Sequence, residues 1–469
     1  MNKTPTIIKS NQIAGVIHEK YKNNHYINCY IGSNAAAPTT SLEGLTDSIL
    51  QGSPKLPFIK MIHLLLQGPV PYVAKGLQDK IKAYSIFSAG DVRKAANEGR
   101  AYYLPCSLAH IDSLIGKGKY YQPDVAIVKV SQNEHTGEYS LGLSVEAIHT
   151  AIDHAKIVIA ELDNTMPFTQ GQSVVDASSI DYIIMDNIKP VYTMPAPDFD
   201  NLSPEELRIG ELITHHFIKD GATIQVGIGK IPDAVIGTLK GSDYRNLGIQ
   251  TELYGDGLMQ LQKLGMINNR NKKINHGYST TALIMGSQEL YDYVHMRAGI
   301  QMRPISYTNS AQTIQGNSPL ISVNTAIGID LFGNVWADFI DTKRYYGGVG
   351  GQPDFIRALK DKAHGTPIIA MKSLTKNGDS KITPAHPQGI SLTASSFDSV
   401  VLVTEYGIAD LRELTSGLKA LAIASVAHPK YRDVYLKQIC DDPMFTKPAG
   451  YTLDKIPRGV TLYSGDIKI

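Results

Sequence analysis

The chain has 469 residues, of which 43% are hydrophobic and 19% are charged, and its formal net charge is +1. This length exceeds what one ordinary hydrophobic core organises, so it predicts a globular protein of roughly two or three domains. The balance of 45 basic and 44 acidic residues gives no reason to expect nucleic acid or an anionic membrane surface as a partner.

The cysteines and the N-terminal segment exclude further classes. Cys29, Cys106 and Cys440 are odd in number and far apart, with no Cys-x-x-Cys pair and no metal-ligand spacing. The histidines form no His-Glu-x-x-His motif either, so we expect no metal. Residues 1–10 lack the apolar stretch of a signal peptide, and no apolar run approaches the ~20 residues of a spanning helix. The sequence predicts a cytoplasmic protein with reduced thiols and no membrane partner.

Apolar runs rich in β-branched residues alternate along the chain with segments of helical period. This alternation predicts an α/β fold with parallel sheets whose strands are buried on both faces. The predicted strands are residues 125–130, 157–162, 183–185, 224–226, 368–371 and 400–404. The predicted helices are residues 145–155, 204–219, 233–239 and 354–363.

Residues 193–204 are the best candidate for a linker between domains. Three prolines and two aspartates in this segment disfavour a continuous strand or helix. Ser203 then resembles a helix N-cap, with Pro204 at the first helical position and Glu206 completing a capping box. We therefore predict one domain over residues 1–195 and a second over residues 205–469. The same alternation of strands and helices occurs in both halves.

Three glutamates stand where an apolar run ends: Glu161, Glu252 and Glu405. Ligands of open α/β sheets bind at the rim formed by strand ends, so each position is a candidate site. Glu252 follows the apolar run 247–249 and precedes a turn with glycines. It could act as a base, a salt-bridge partner or a nucleophile. A structural carboxylate is the common alternative for any one of them, and spacing alone does not choose among the three.

Two glycine-rich turns could bind an anion. Residues 227–229 form a Gly-Ile-Gly turn between a predicted strand and helix, where backbone N–H groups can bind an anion or an oxyanion. A tight turn with positive φ at both glycines explains the pattern equally well. Residues 347–351 contain four glycines, which cost backbone entropy and bury no side chain. Close approach of the backbone to a ligand, or an anion nest, is the favoured interpretation over a flexible loop.

These motifs together resemble the acetyl-CoA hydrolase/CoA-transferase family, and most of all its 4-hydroxybutyrate and butyrate CoA-transferases. The resemblance extends over nearly the whole chain. It rests on residues 92–101, 166–171, 247–257, 346–355, 404–412 and 427–432. One departure is Gln250, which stands where the family often has histidine. The resemblance implies two similar, open α/β domains of CoA-transferase type with the active site between them.

The resemblance also implies a reaction. Glu252 would be the nucleophile of a ping-pong CoA transfer through a glutamyl-CoA thioester. The oxyanion-stabilising or CoA-binding residues would be Gly227, Ile228, Gly229, Gly348, Gly350, Gly351 and Gln352. The substrates would be acetyl-, butyryl- or 4-hydroxybutyryl-CoA and a small carboxylic acid such as acetate, as in acetyl-CoA and short-chain fatty acid metabolism.

The same resemblance implies a homodimer and no permanently bound cofactor, with the coenzyme A thioester entering as substrate. Hydrolysis of a short acyl-CoA is the alternative activity, because it needs the same nucleophile and differs only in how water is excluded. A non-catalytic CoA-binding protein is a third hypothesis. The presence of Glu252 together with both glycine-rich turns argues against it.

Overall fold

Two β-sheets with helices packed against them organise the chain. The computed structural model describes residues 4–445, 452 and 455–464. The first half contributes strands β1–β10 and helices α1–α5, and the second half contributes α6–α14 and β11–β26. Within the described residues, no helix combines the length and apolarity needed to cross a bilayer.

The elements of the first half alternate between strand and helix. The strands are β1 Thr6–Ile8, β2 Tyr26–Ile31, β3 Phe58–His63, β4 Ile81–Ser85, β5 Tyr102–Tyr103, β6 Val125–Gln132, β7 Tyr139–Ser140, β8 Ile157–Leu162, β9 Val174–Val175 and β10 Tyr182–Ile184. The helices are α1 Ile13–Tyr21, α2 Thr39–Gln51, α3 Gly90–Asn97, α4 Ile111–Ile115 and α5 Ile148–His154. Short 3-10 turns occur at Ser10–Gln12, Pro71–Val73, Leu108–His110 and Ala177–Ser179.

The first sheet runs in the order β1-β10-β8-β6-β2-β3-β4-β5, and all neighbours in this order are parallel. The strands β2 and β6 lie in its centre, and β6 is buried along almost its whole length. Such central strands carry apolar side chains on both faces because helices cover both faces. The carboxyl ends of β2 and β3 therefore lie side by side at one rim of the sheet.

The second half forms a seven-stranded sheet and several small ladders. Its helices are α6 Pro204–Phe217, α7 Lys230–Lys240, α8 Asp256–Lys263, α9 Gln288–Val294, α10 Ile305–Thr308, α11 Ala311–Gly316, α12 Gln352–Leu359, α13 Ser416–Ser425 and α14 Pro429–Asp441. The larger sheet contains β11 Thr223–Val226, β12 Gly248–Ile249, β17 Leu320–Asn324, β22 Gly365–Ala370, β24 Val401–Thr404, β25 Gly407–Asp410 and β26 Val460–Leu462. The smaller ladders contain β13 Leu253–Tyr254, β14 Ser279–Thr281, β15 Leu283–Ile284, β16 Ile300–Met302, β18 Gly328–Asp330, β19 Val335–Trp336, β20 Phe339–Asp341, β21 Arg344–Tyr345 and β23 Ile382–Thr383.

The order of the larger sheet is β12-β11-β17-β22-β24-β25-β26. Its strands are parallel from β12 to β24, and β25 and β26 extend it as antiparallel strands. The short β12 is an edge strand, and the chain leaves it toward Glu252.

The predicted α/β class is confirmed, and the six predicted strands correspond to β6, β8, β10, β11, β22 and β24. The four predicted helices correspond to α5, α6, α7 and α12. The last of them was predicted too long at its C-terminus, because α12 ends at Leu359. The Asp361 side chain accepts a hydrogen bond from the Ala363 N–H at 2.8 Å, and such a local turn competes with helix continuation.

The segment between the halves crosses from one sheet to the other. The capping box is confirmed, with Ser203 accepting from the Glu206 N–H and Glu206 accepting from the Ser203 N–H. The halves also share one large apolar core, whose members include Val128 of the first sheet and Ile224 of the second. The boundary near residue 200 stays a prediction.

Candidate active site

A cavity of about 330 Å³ lies where the two halves meet, and it contains Glu252. Its wall takes residues from both halves of the chain. The first half contributes, among others, Asn34, Leu64, Leu65, Gln67, Phe87 and Arg93, and the second contributes Gly227, Ile228, Glu252, Gly350, Gly351 and Gln352. The structure thus brings together residues that are up to about 300 positions apart in the sequence, and five of the predicted binding residues lie with Glu252.

The backbone of Glu252 is fixed between the short strands β12 and β13. Its carbonyl accepts hydrogen bonds from the Ala282 N–H at 3.1 Å and the Leu283 N–H at 3.0 Å. The Thr281 hydroxyl donates to the same carbonyl at 3.0 Å. This anchoring leaves only the Glu252 side chain free to enter the cavity, which is the arrangement that a positioned nucleophile requires.

Two neutral donors contact the Glu252 carboxylate. The Asn309 side chain donates from Nδ2 to Oε2 at 3.0 Å, and the Gly351 N–H is a second hydrogen-bond donor. A Cβ atom built at Gly351 would overlap both the Glu252 carboxylate and the Asn309 amide. The backbone φ of Gly351 is −82°, which any residue can adopt. Glycine is required here for space, because the backbone passes close to two protein side chains. The predicted close approach of this loop to a ligand stays a prediction.

Asp354 lies behind this contact, in the first turn of α12. Its Oδ2 accepts a hydrogen bond from Asn309 Nδ2 at 3.4 Å and another from the Ala109 N–H at 3.0 Å. Its Oδ1 accepts from the Ser107 hydroxyl. Asp354 therefore joins the glycine loop of the second half to the turn 107–109 of the first half, and it orients the Asn309 amide toward Glu252.

The environment shifts the pKa values of both carboxyl groups upward. Burial raises the pKa of Glu252 to about 7, and the charge of Asp354 adds to the rise. The Asn309 amide and the Gly351 N–H oppose this rise in the pKa of Glu252, because they stabilise the carboxylate. Burial likewise raises the pKa of Asp354, against the hydrogen bonds from Ser107, Ala109 and Asn309. A carboxylate whose pKa lies near neutrality is typical of a functional site.

Asn309 was not among the residues predicted from the sequence. It directly follows the four-residue helix α10, which is held at both ends by buried groups. The Glu146 carbonyl accepts from the Ile305 N–H at 2.9 Å, and the Gln250 side chain donates to the Thr308 carbonyl at 3.1 Å. Gln250, which stands where the family often has histidine, therefore helps to hold the helix that precedes Asn309. A lone asparagine after a short helix gives no sequence signal of this role.

The remaining predicted residues occupy different positions. Gly227 and Ile228 line the Glu252 cavity, whereas Gly229 lines a neighbouring cavity of about 300 Å³ together with Asp233 and other residues at the start of α7. Only Gly229 of the two glycines has a positive φ, at 118°, so the tight-turn alternative holds for one position. Gly348 packs against the backbone of residues 86 and 87 in the first half, where a side chain would collide with the Ile86 carbonyl.

The two other strand-end glutamates have structural surroundings. Glu161 forms an ion pair with Lys129 at 3.0 Å and accepts from the Ser41 N–H and hydroxyl. Glu405 accepts from the Ser373 N–H at 2.8 Å and from its hydroxyl at 2.5 Å. Each of these two carboxylates is buried and is bonded to groups of its own half. Neither glutamate lines the cavity between the halves, and this separates them from Glu252.

The histidines give no sign of a metal centre. His215 and His216 are exposed neighbours on α6. Over the residues that the structure describes, no group of three or more His, Cys, Asp or Glu side chains is arranged to hold a metal ion.

Comparison with known proteins shows to which family the chain is related. Residues 5–195 match the acetyl-CoA hydrolase/transferase N-terminal domain, and residues 286–439 match the C-terminal domain of the same family. The 4-hydroxybutyrate coenzyme A transferase of Clostridium kluyveri is 37% identical over 81% of this chain and 87% of its own length. The chain belongs to the acetyl-CoA hydrolase/transferase family. Its relatives of this similarity are named CoA-transferases, and the chain is an enzyme of this kind.

Further relatives agree with the family assignment. The succinyl-CoA:acetate/propanoyl-CoA:succinate CoA transferase of Fasciola hepatica is 34% identical over 88% of this chain and 84% of its own length. The crystal structure of RipA from Yersinia pestis superposes with a TM-score of 0.81 at 27% identity, covering 93% of this chain and 97% of RipA. The α/β architecture of this CoA-transferase family therefore extends over nearly the whole chain.

We predict that Gly351→Ala lowers turnover by about 100-fold while the protein stays folded, because a methyl group would displace the Glu252 carboxylate and the Asn309 amide. The measurement is kcat/KM for CoA transfer together with the thermal unfolding midpoint. Gly15→Ala is the matched control, since a Cβ atom there meets nothing within 4 Å and φ is not positive. Activity of Gly351→Ala equal to that of the control would contradict the close contact.

Proposed function

We propose that the protein moves coenzyme A between a short-chain acyl-CoA and a free carboxylate, with Glu252 as the covalent nucleophile. One observation carries this proposal: the Glu252 carboxylate enters a cavity between the two halves, with the Asn309 amide and the Gly351 N–H directed at it. Neutral donors stabilise a carboxylate without neutralising it, so that its charged form can attack a thioester.

The first half-reaction transfers coenzyme A to the enzyme. A Glu252 oxygen attacks the thioester carbonyl, the C–S bond breaks, and an acyl–glutamyl anhydride forms with release of the CoA thiolate. The thiolate then attacks the glutamyl carbonyl carbon, and the first carboxylate leaves as the glutamyl-CoA thioester forms. Splitting one difficult exchange into these steps is covalent catalysis.

The second half-reaction runs the same steps in reverse. The incoming carboxylate attacks the glutamyl thioester, which gives a new anhydride and the CoA thiolate. The thiolate attacks the acyl carbonyl of that anhydride, so that a new acyl-CoA leaves and the Glu252 carboxylate is regenerated. Protons and electrons balance without a cofactor, because each step exchanges one oxygen or sulfur nucleophile for another.

The donors at Glu252 suit the charge that develops in these steps. Attack on the glutamyl carbonyl converts a Glu252 oxygen into an oxyanion, and Asn309 Nδ2 lies 3.0 Å from Oε2. A preorganised donor of this kind contributes about 3 kcal/mol to lowering the barrier. Asp354 acts as a positioning residue in this proposal, since it holds the amide through Oδ2.

The two glycine-rich turns have separate roles in the proposal. Gly350, Gly351 and Gln352 border the nucleophile, and Gly227, Ile228 and Gly229 lead from that cavity to the neighbouring one at the start of α7. This second path suits the remote part of the CoA substrate, whose binding energy can be used at the reacting centre. Gly348 supports the loop from behind. The proposed acyl-CoA substrates are acetyl-, butyryl- and 4-hydroxybutyryl-CoA. The proposal also includes a cytoplasmic location, a homodimer and no permanently bound cofactor.

We predict that Glu252→Gln abolishes turnover while CoA affinity survives, because the amide keeps the shape of the side chain and loses its nucleophilic charge. Intact-mass measurement after addition of acyl-CoA without acceptor should find a CoA adduct on the parent enzyme, on the peptide that contains Glu252. Glu252→Gln should carry no adduct. Glu289→Gln, an exposed glutamate paired with Lys263, is the control and should behave like the parent. Turnover by the parent without any adduct would contradict the thioester mechanism.

We further predict that acetyl-CoA yields a new acyl-CoA only when butyrate or 4-hydroxybutyrate is added, with little free CoA. Acetyl-CoA hydrolases are among the less similar relatives, so hydrolysis is the competing outcome. Mass spectrometry of products with and without the acceptor separates the two activities. Release of free CoA at the same rate in both samples would make the protein a hydrolase.

We also predict an acid limb in the pH profile of kcat/KM with a midpoint near pH 7, because the pKa of Glu252 is raised to about 7 and only the carboxylate attacks. Below this pKa the rate should fall about tenfold per pH unit. Asp354→Asn removes a negative charge that raises the pKa of Glu252, so the limb should move to lower pH. An unchanged limb in Asp354→Asn would show that the two carboxyl groups are not electrostatically coupled.

A further inference from the structure

The wall of the Glu252 cavity contains an asparagine whose side-chain amide is unpaired among the described residues. Asn34 lines this cavity and is 0% exposed. Neither Oδ1 nor Nδ2 has a hydrogen-bond partner among the described residues. A primary amide offers two donor hydrogens and two acceptor positions, and buried groups of this kind are nearly always paired. The position therefore lacks a hydrogen-bonding group that a ligand can supply.

The backbone holds this amide in place. Asn34 follows the central strand β2, its N–H donates to the Leu65 carbonyl, and its carbonyl accepts from the Gln67 N–H at 3.4 Å. The preceding Ser33 donates from its N–H at 2.9 Å and its hydroxyl at 2.7 Å to the same Glu146 oxygen. The amide is therefore presented by two neighbouring strand ends and an anchored turn, which is how a preorganised binding group is built.

The backbone conformation alone does not explain an asparagine here. Asn34 has φ of 61°, and asparagine tolerates this left-handed region because its side chain commonly bonds to nearby backbone. The Asn34 side chain makes no such bond within the described chain, and glycine would satisfy the conformation at no steric cost. The amide itself is the part that remains to be explained.

The chemistry of the cavity wall limits which chemical groups can bind to Asn34. Leu64, Leu65, Phe87 and Leu108 supply apolar wall, which suits a short aliphatic chain. A hydroxyl group matches a neutral amide on both sides, since it can donate to Oδ1 and accept from Nδ2. A carboxylate only accepts, and an unsubstituted alkyl end leaves both amide atoms unpaired.

We propose that Asn34 selects short acyl groups that carry a hydroxyl group at the far end of the chain, by hydrogen bonding to that hydroxyl. This inference rests on the proposed CoA transfer at Glu252. It assigns the acyl end of the substrate to the first half of the chain, whereas the nucleophile and its donors belong to the second half.

Arg93 lies in the same cavity and is an alternative group for recognising the end of the acyl chain. Arg93 stacks on Tyr346 at 4.6 Å, its Nε has no partner among the described residues, and a guanidinium favours a carboxylate.

The experiment compares acceptors rather than total activity. With acetyl-CoA as donor, kcat/KM is measured for 4-hydroxybutyrate, butyrate and succinate in the parent, in Asn34→Gly and in Asn187→Gly. Glycine retains the left-handed backbone in both variants, and Asn187 is an exposed asparagine at φ of 50° that serves as the matched control. Unfolding midpoints verify that all three proteins are folded.

We expect the parent to prefer 4-hydroxybutyrate over butyrate. Asn34→Gly should lose about 100-fold in kcat/KM for the hydroxy acid and stay within about threefold for butyrate. Asn187→Gly should match the parent with every acceptor. Equal losses with both acids in Asn34→Gly, or a parent that favours butyrate, would overturn the inference. A parent that favours succinate over both would show that the cavity recognises a carboxylate through Arg93 and would overturn it as well.

The glutamyl-CoA adduct separates this inference from the proposed function. Acetyl-CoA should form the adduct in the parent and in Asn34→Gly, because an acetyl group is too short to depend on the amide. If the parent forms no adduct during turnover, the mechanism at Glu252 fails. If both proteins form the adduct and the preference for the hydroxyl group is absent, the role of Asn34 alone fails.

Discussion

The Asn309 amide is the interaction on which the arrangement of the site depends. Its Nδ2 atom lies 3.0 Å from the Glu252 carboxylate and 3.4 Å from the Asp354 carboxylate. Two carboxylates at such short range repel each other, and a donor shared between them is what permits both to remain in place. Asp354 then accepts from the Ala109 N–H of the first half, so this hydrogen-bonded chain joins Glu252, the start of α12 and the turn 107–109.

Glu146 connects this arrangement to the part of the cavity wall that contains Asn34. Its carbonyl accepts from the Ile305 N–H at the start of α10, which leads directly to Asn309. Its carboxylate accepts from Ser33, the neighbour of Asn34. One buried residue therefore holds both the segment that leads to Asn309 and the segment that contains Asn34. A buried carboxylate is costly unless it is hydrogen bonded, and the two bonds from Ser33 to one Glu146 oxygen also hold the segment that contains Asn34.

The strands could be predicted because their burial on both faces leaves long apolar runs, as in β6 and β8. The choice among the three strand-end glutamates could not be predicted, because all three follow similar apolar runs. What distinguishes them is what approaches in space: Lys129 at Glu161, Ser373 at Glu405, and Asn309 with Gly351 at Glu252. Asn309 lies 57 residues beyond Glu252, and no local pattern marks such a contact.

For the glycine loop at residues 347–351, too, the sequence predicts less than the structure shows. Its composition predicted close approach of the backbone to a ligand, and the structure shows close approach to the protein itself at two places. Gly351 makes room for the Glu252 carboxylate, whereas Gly348 makes room for the backbone of Ile86. The chain turns between them at Gly350, which has φ of 61°, so the two glycines meet different parts of the protein. The sequence indicates that this loop needs small residues. Only the fold shows which glycine contacts Glu252 and which packs against Ile86.

The raised pKa of Glu252 and the choice between transfer and hydrolysis have a common physical origin. Burial raises the pKa because water is withdrawn from the carboxylate. Withdrawal of the same water protects a glutamyl thioester or anhydride from hydrolysis. A more open cavity would give a fully ionised carboxylate at neutral pH, but it would also admit water as an acceptor. The Glu252 cavity combines burial with two neutral donors, which stabilise the charged carboxylate without solvent. A covalent intermediate of the proposed reaction would be protected there from water.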